Sequence, residues 1–168
     1  MLEAAEEVVD LSGAELGVGQ GERGVAAERE VGRAQPVGRV GLGLAPDPTG
    51  LIAAVKAGLD VRIFVDVARR LGVSEARLAD IAGIAPTTLG RRKRAGALAP
   101  DESEHVLRLA ALLERATQVF GDESDAADWL RTTNLALDGV TPLALADTEL
   151  GAREVDDLLG RLEHGVYS

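Results

Sequence analysis

The chain has 168 residues and a net charge of −10, room for one ordinary domain or for two very small ones plus a tail. It has no cysteine and two histidines, His105 and His164, which excludes disulfides and thiolate metal sites, so neither a metal centre nor a cofactor is expected. No stretch of eighteen apolar residues occurs and the opening MLEAAEEVVD is acidic, so the expected location is the cytoplasm, with no membrane partner.

The charge is partitioned along the chain. Residues 1–50 hold nine acids and four bases, 51–100 four acids and nine bases, and 101–168 fifteen acids and five bases. A basic middle followed by an acidic C-terminal third points to two surfaces with different partners.

Residues 1–50 contain ten of the twenty glycines, three of the six prolines and no aromatic residue. With so little to bury, the segment is expected to be a mobile or irregular tail, beyond a brief helix around Leu2, Val8, Val9 and Leu11. Gly19, Gly21 and Gly24 have the spacing of a dinucleotide-binding turn, and Asp47 falls near the place of a ribose-binding acid. That turn needs a buried strand before it and a long helix after it, whereas LSGAELGV precedes these glycines and Pro36 follows.

From Thr49 the pattern becomes helical with clear stops. Thr49 is read as the cap of a short helix carrying Leu51, Ile52 and Val55 and ended by Gly58. Asp60 caps a second whose inward positions are Val61, Phe64, Val65, Ala68 and Leu71, before Gly72. Ser74 caps a third, with Leu78 and Ile81 inward. Gly83 turns the chain, and Pro86 sits at the first position of a fourth helix anchored by Leu89. With small Ala79 and with Ile84 packed inward, these spacings resemble a helix-turn-helix. Arg91, Arg92, Lys93 and Arg94 project from the fourth helix over more than one face, so at least two reach phosphates, while Thr87 and Thr88 point toward a major groove. The alternative is a solvated, cationic helix end.

After Pro100, with Asp101 as its cap, a long helix carries Val106, Leu109, Leu113, Ala116 and Phe120 on one stripe, with Leu107, Ala111 and Leu112 beside it. So broad an apolar face makes it the expected dimer element, connecting residues 101–120. His105 is read as a surface or cap residue. Asp122 begins a helix containing Trp129, read as core, and Leu130. Gly139 is expected to permit a tight approach to a short helix, Leu143 to Ala146, capped by Thr141 with Pro142 in its first turn. Thr148 opens the last helix, with Leu150, Val155, Leu158, Leu159 and Leu162 inward and Glu149, Arg153, Glu154, Asp157 and Arg161 outward. Gly165 then releases Val166, Tyr167 and Ser168. Tyr167, with little core to enter, is read as a partner contact.

Phe120-Gly121-Asp122, Ala126, Trp129-Leu130, Asn134, Leu137-x-Gly139-x-Thr141-Pro142-Leu143, Thr148-x-x-Gly151, Val155, Leu158 and His164-Gly165 resemble the toxin-binding domain of Xre/ParS-type (MbcA-like) antitoxins. Upstream, Gly83-Ile84, Thr88-Leu89, Arg91-Arg92, Glu102-Ser103 and Arg108-Leu109 resemble the helix-turn-helix half of the same proteins. The resemblance runs from about Leu51 to Ser168. It implies an all-α fold, with a helix-turn-helix domain over 51–100, a connecting helix over 101–120 and a toxin-binding domain over 121–168; residues 1–50, the expected tail, have no counterpart in it. It also implies a homodimer within a hetero-oligomer that sterically blocks a NAD-consuming RES-domain toxin and represses its own promoter by binding operator DNA. The toxin-facing residues expected on that basis are Arg153, Glu154, Asp157, Arg161, Glu163, His164, Val166 and Tyr167.

Three residues depart from the family pattern. Ala85 stands where a Ser or Thr cap is common, Thr87 where a basic residue is frequent, and Asp138 in place of the second residue of a usual Leu-Gly-Gly. The first two bear on DNA affinity more than on toxin binding. A different reading is a stand-alone helix-turn-helix repressor whose acidic domain binds a protein or small ligand. An enzyme built on the glycine motif is disfavoured, since no nucleophile–base pair or carboxylate dyad is placed on a recognisable element.

Overall fold

Eight α-helices and one 3₁₀ turn lie within residues 47–165, which the computed structural model describes. They are α1 (Pro48–Ala57), α2 (Val61–Arg70), α3 (Glu75–Ile81), α4 (Pro86–Ala95), α5 (Pro100–Phe120), α6 (Glu123–Arg131), the 3₁₀ turn Leu135–Leu137, α7 (Pro142–Leu145) and α8 (Glu149–Glu163). Among these residues the only β-type pairings are isolated bridges, Asp60 with Ala97 and Asn134 with Val140. The fold is all-α, a helix-turn-helix half followed by a smaller helical half. The glycine motif and the expected tail lie outside the described residues.

Side-chain caps set most of the boundaries. Asp60 accepts from the Arg62 amide at 2.8 Å, Ser74 from Arg77 at 3.2 Å and Asp122 from Ser124 at 2.7 Å. Thr141 accepts from Ala144 at 3.2 Å and Thr148 from Gly151 at 3.1 Å, each meeting a helix-start amide that has no partner within the helix. Two caps differ from expectation. Asp47, not Thr49, caps α1 by accepting from Gly50 at 2.6 Å, and Ala99, not Asp101, precedes α5. In both cases a proline, Pro48 or Pro100, takes the first helical position, where its missing N–H is no loss, and this sets the start further upstream. Ala99 has no polar side chain, so Glu102 reaches back to accept its amide at 2.7 Å. Pro142 likewise starts α7 one residue earlier than expected.

α5 is the central element, packing against α1 and α2 on one side and α6 and α8 on the other. Val106, Leu109, Leu113 and Ala116 are buried there as expected, and so is Leu112. The breadth of its apolar face is therefore used within the chain, leaving Ala111 exposed and Leu107 half-buried. Phe120 is only half-buried and leans on Trp129, ring centroids 5.5 Å apart. Trp129 is likewise a partly buried lid over the core, while Leu130 beside it is buried completely.

Two inward assignments fail. On α2 the buried valine is Val67 and Val65 is exposed. On α8 the buried stripe is Gly151, Ala152, Val155, Leu158 and Leu159, which turns Leu150 outward at 79% exposure. Gly151 explains the rotation. A Cβ there would lie 1.8 Å from the Leu145 carbonyl oxygen, so the bare glycine lets α8 press against α7.

The two halves are joined by more than α5. The Arg70 guanidinium on α2 donates to Glu123 on α6 at 2.6 Å, a bond that raises the arginine's pKa further. Arg131 on α6 donates to the Gly72 carbonyl at 3.1 Å. Ser103 on α5 accepts the Leu59 amide at 2.9 Å and donates to the Ala99 carbonyl at 2.7 Å, a fully buried hydroxyl with both roles satisfied.

Candidate functional site

The α3–α4 pair has the geometry of a helix-turn-helix. Gly83 takes a left-handed conformation between the helices, the Ile84 amide donates to the Ala79 carbonyl at 2.7 Å, and Ala79, Ile84 and Leu89 are buried against the shared core. The His105 Nδ1 lies 2.8 Å from the Ala82 carbonyl oxygen, so the ring proton sits on Nδ1 and donates to the turn. His105 is thus a partly buried brace between α5 and the turn, a role its position near a helix start did not reveal.

The four cations of α4 divide into two kinds. Arg92 Nε donates to Glu102 at 2.7 Å, with side-chain exposures of 25% and 10%, so it is held inside the fold by the same carboxylate that caps α5. Lys93 pairs with Glu75 of α3. Arg91 and Arg94 are exposed and form no ion pair among the described residues. Thr87 is exposed at the first turn and Thr88 half-buried. Ala85 leaves α4 without a side-chain cap, so its first-turn amides stay available to an anion.

The C-terminal segment is acidic. Residues 121–165 carry eleven acids and three bases. On α8, Arg153, Glu154, Asp157 and Arg161 are exposed, as their spacing predicts, and so are Glu163 and His164 at its end. Arg153 pairs with Glu149 at 3.1 Å and Arg161 approaches Glu154 at 3.7 Å, surface pairs worth little energetically. Glu163 instead ties α8 to α5. It accepts from Arg115 at 2.6 Å, which holds its carboxyl below the ordinary range. Arg108 faces Glu149 and Arg115 faces Asp156 along the same seam, at 3.7 and 3.6 Å. Asp125, Asp138, Asp147 and Asp157 are exposed and form no ion pair among the described residues. Val166 and Tyr167 lie outside those residues.

Between α5 and α8 is a shallow depression of about 190 Å³ lined by Arg108, Ala111, Leu112, Glu149, Ala152, Arg153 and Asp156. Pockets that enclose ligands of drug or nucleotide size are roughly 300–1,000 Å³. No His, Ser, Thr or Tyr lines this depression. Among the described residues no group of three or more His, Asp or Glu side chains is placed to hold a metal ion, and no helix is long and apolar enough to cross a membrane.

The turn from Asn134 to Val140 contains features the sequence concealed. Asp138 and Gly139 are consecutive left-handed residues, with φ of +55° and +75°. This accounts for Asp138 as a departure from the usual Leu-Gly-Gly: the position favours glycine, and aspartate is one of the few other residues that tolerate it. Gly139 serves the same backbone need rather than a close approach, since nothing lies within 4 Å of a Cβ built there. Leu137 is buried while Leu135, two residues earlier, is 95% exposed.

Comparison with known proteins matches both halves. Residues 50–111 fit the model of the antitoxin Xre-like helix-turn-helix domain, and 115–165 that of the antitoxin Xre/MbcA/ParS C-terminal toxin-binding domain. Antitoxin Xre of Yersinia enterocolitica serotype O:8 is 35% identical over 122 residues, 71% of this chain and 82% of the relative. The chain belongs to the Xre antitoxin family. Antitoxin Xre of Photorhabdus laumondii is 34% identical over 120 residues, covering 70% of this chain and 81% of the relative. Antitoxin Xre of Pseudomonas putida is 30% identical over 79 residues, 47% and 50% of the two chains. The two family models meet on α5, between residues 111 and 115, the helix that both halves of the Xre fold share.

Proposed function

We propose that this Xre-family protein neutralises a NAD-consuming RES-domain toxin in the cytoplasm by covering the mouth of its active site, acting by obstruction and not by catalysis. The observation that carries the reading is the acidic surface of residues 121–165, where Asp125, Asp138, Asp147 and Asp157 are exposed without an ion pair among the described residues, within the segment that matches a toxin-binding domain. A site that holds a dinucleotide's two phosphates needs cationic residues, and a surface with a net charge of −8 is drawn to its rim and complements it. The outward residues of α8, namely Arg153, Glu154, Asp157, Arg161, Glu163 and His164, with Val166 and Tyr167, form the blocking edge.

The same protein represses its own promoter through α4. Arg91 and Arg94 contact phosphates, Thr87 and Thr88 enter the major groove, and the uncapped start of α4 accepts a phosphate. Two unpaired cations per recognition helix, on a chain of net charge −10, bind DNA weakly as one copy. A homodimer presenting two α4 helices to two half-sites supplies the remaining affinity.

Co-expression of the toxin encoded by the neighbouring gene with a chain lacking Gly160–Ser168 tests the blocking edge. The full chain protects the cells and the shortened chain, checked for retained helical circular dichroism because it lacks the Glu163 tie to α5, does not; protection by the shortened chain would overturn the proposal.

A further inference from the structure

Leu135 is the most exposed large hydrophobic residue among those described, at 95%, and Val140, at 40%, closes the same turn. A lone surface leucine needs no explanation. Here, however, the surrounding backbone is held closely. The Asn134 amide donates to Val140 at 3.1 Å, Gly139 donates back to Asn134 at 2.9 Å, and Val140 donates to Leu137 at 3.0 Å. The Asn134 side chain accepts the Ala136 amide at 2.9 Å. Leu137 fixes the turn into the core, and a non-glycine left-handed residue, Asp138, is retained at its tip. Such a turn presents Leu135 to solvent in one arrangement, so little ordering entropy is lost when a partner covers it.

We propose that the Asn134–Val140 turn is a second toxin-docking element, separate from α8, in which Leu135 enters an apolar pocket rimmed by cations on the toxin. Three features select that occupant over a second copy of this chain. The turn lies inside the segment matching a toxin-binding domain. It carries an unpaired carboxylate, Asp138, beside its apolar residues, the arrangement of an apolar interface centre with a polar edge. And residues 121–165 carry a net −8, so two copies meeting at this face would bring like charges together, whereas a cationic partner gains from them. The inference rests on the proposed toxin-binding function and deepens it.

The test measures affinity of the full-length chain and of Leu135→Ser for a catalytically inactive form of the neighbouring-gene toxin, by titration calorimetry, with thermal melts of both. Because Leu135 is almost wholly in solvent, its replacement leaves the melting temperature unchanged, while loss of one buried leucine contact weakens binding by about tenfold or more. Asp138→Asn weakens binding by a smaller, salt-sensitive factor. Equal affinity of Leu135→Ser and the unaltered chain would overturn this inference and leave the proposed function standing. Failure of the unaltered chain to bind would overturn the proposed function itself. Unaltered toxin affinity with loss of self-association, read by sedimentation, would assign the turn to a second copy and overturn the inference.

Discussion

The helix-turn-helix half and the C-terminal half differ in the sign of the charges they leave unpaired. In the first, most cations are engaged by acids of the same chain: Arg62 by Asp60, Arg69 by Asp66, Arg70 by Glu123, Arg77 by Asp80, Arg92 by Glu102 and Lys93 by Glu75. In the second, Glu123, Asp128, Glu149, Glu154, Asp156 and Glu163 are paired in turn, four of them with arginines of α2 and α5, and the exposed acids left without an ion pair among the described residues include Asp125, Asp138, Asp147 and Asp157. A net charge read from sequence thus overstates what either half offers to a partner, the basic half to DNA and the acidic half to a protein.

The largest expected effect comes from Gly151→Ala, which forces a methyl against the Leu145 carbonyl and destabilises the protein by roughly 3 kcal/mol. Since both halves share α5, the loss in Trp129 fluorescence and the loss of helical circular dichroism coincide on heating. Two separate transitions would mean the halves fold independently.

Arg92→Ala leaves the nearly buried Glu102 carboxylate without its charge partner and costs about 2 kcal/mol, discounted from fully buried pairs because Arg92 is a quarter exposed. Arg91→Ala and Arg94→Ala change stability by no more than about 0.5 kcal/mol. Each lowers affinity for the upstream promoter and reduces the slope of log affinity against log salt by about one. If Arg92→Ala melted like the unaltered protein, the division of α4 into fixed and available cations would be wrong.

Asp138→Gly relieves a left-handed aspartate and raises stability by about 1 kcal/mol in denaturant unfolding. The smallest effect is on pH dependence. Arg115 lowers the Glu163 pKa in the folded chain, so the folded state binds fewer protons than the unfolded one. The contribution is complete above the ordinary glutamate range and is lost as pH falls through the lowered value. Glu163→Gln therefore flattens the acid side of the stability profile. Asp60, held at about 2 by the side chain and amide of Arg62, keeps capping α2 until the pH falls toward that value.

Much of the fold was legible because its stops are chemical. Asp60, Ser74, Asp122, Thr141 and Thr148 each cap the helix predicted for them, and Gly83 and Pro86 delimit the helix-turn-helix. Boundaries slipped where a proline takes the first helical position and moves the start upstream, at Pro48 and Pro100. Leu150 was misplaced because Gly151, which has no apolar side chain to mark it, takes the inward position. In the candidate sites the sequence lists cations and acids without their partners. Nothing in four consecutive basic residues tells that Arg92 faces Glu102 across the α4–α5 junction, and nothing in Asn134-Leu135-Ala136-Leu137 tells which leucine faces the core.

The most direct test of the account titrates the full chain into the purified neighbouring-gene toxin while following NAD consumption. The account predicts that consumption falls to zero as the two proteins reach their binding stoichiometry. A stable complex that continues to consume NAD at the rate of the free toxin would contradict it.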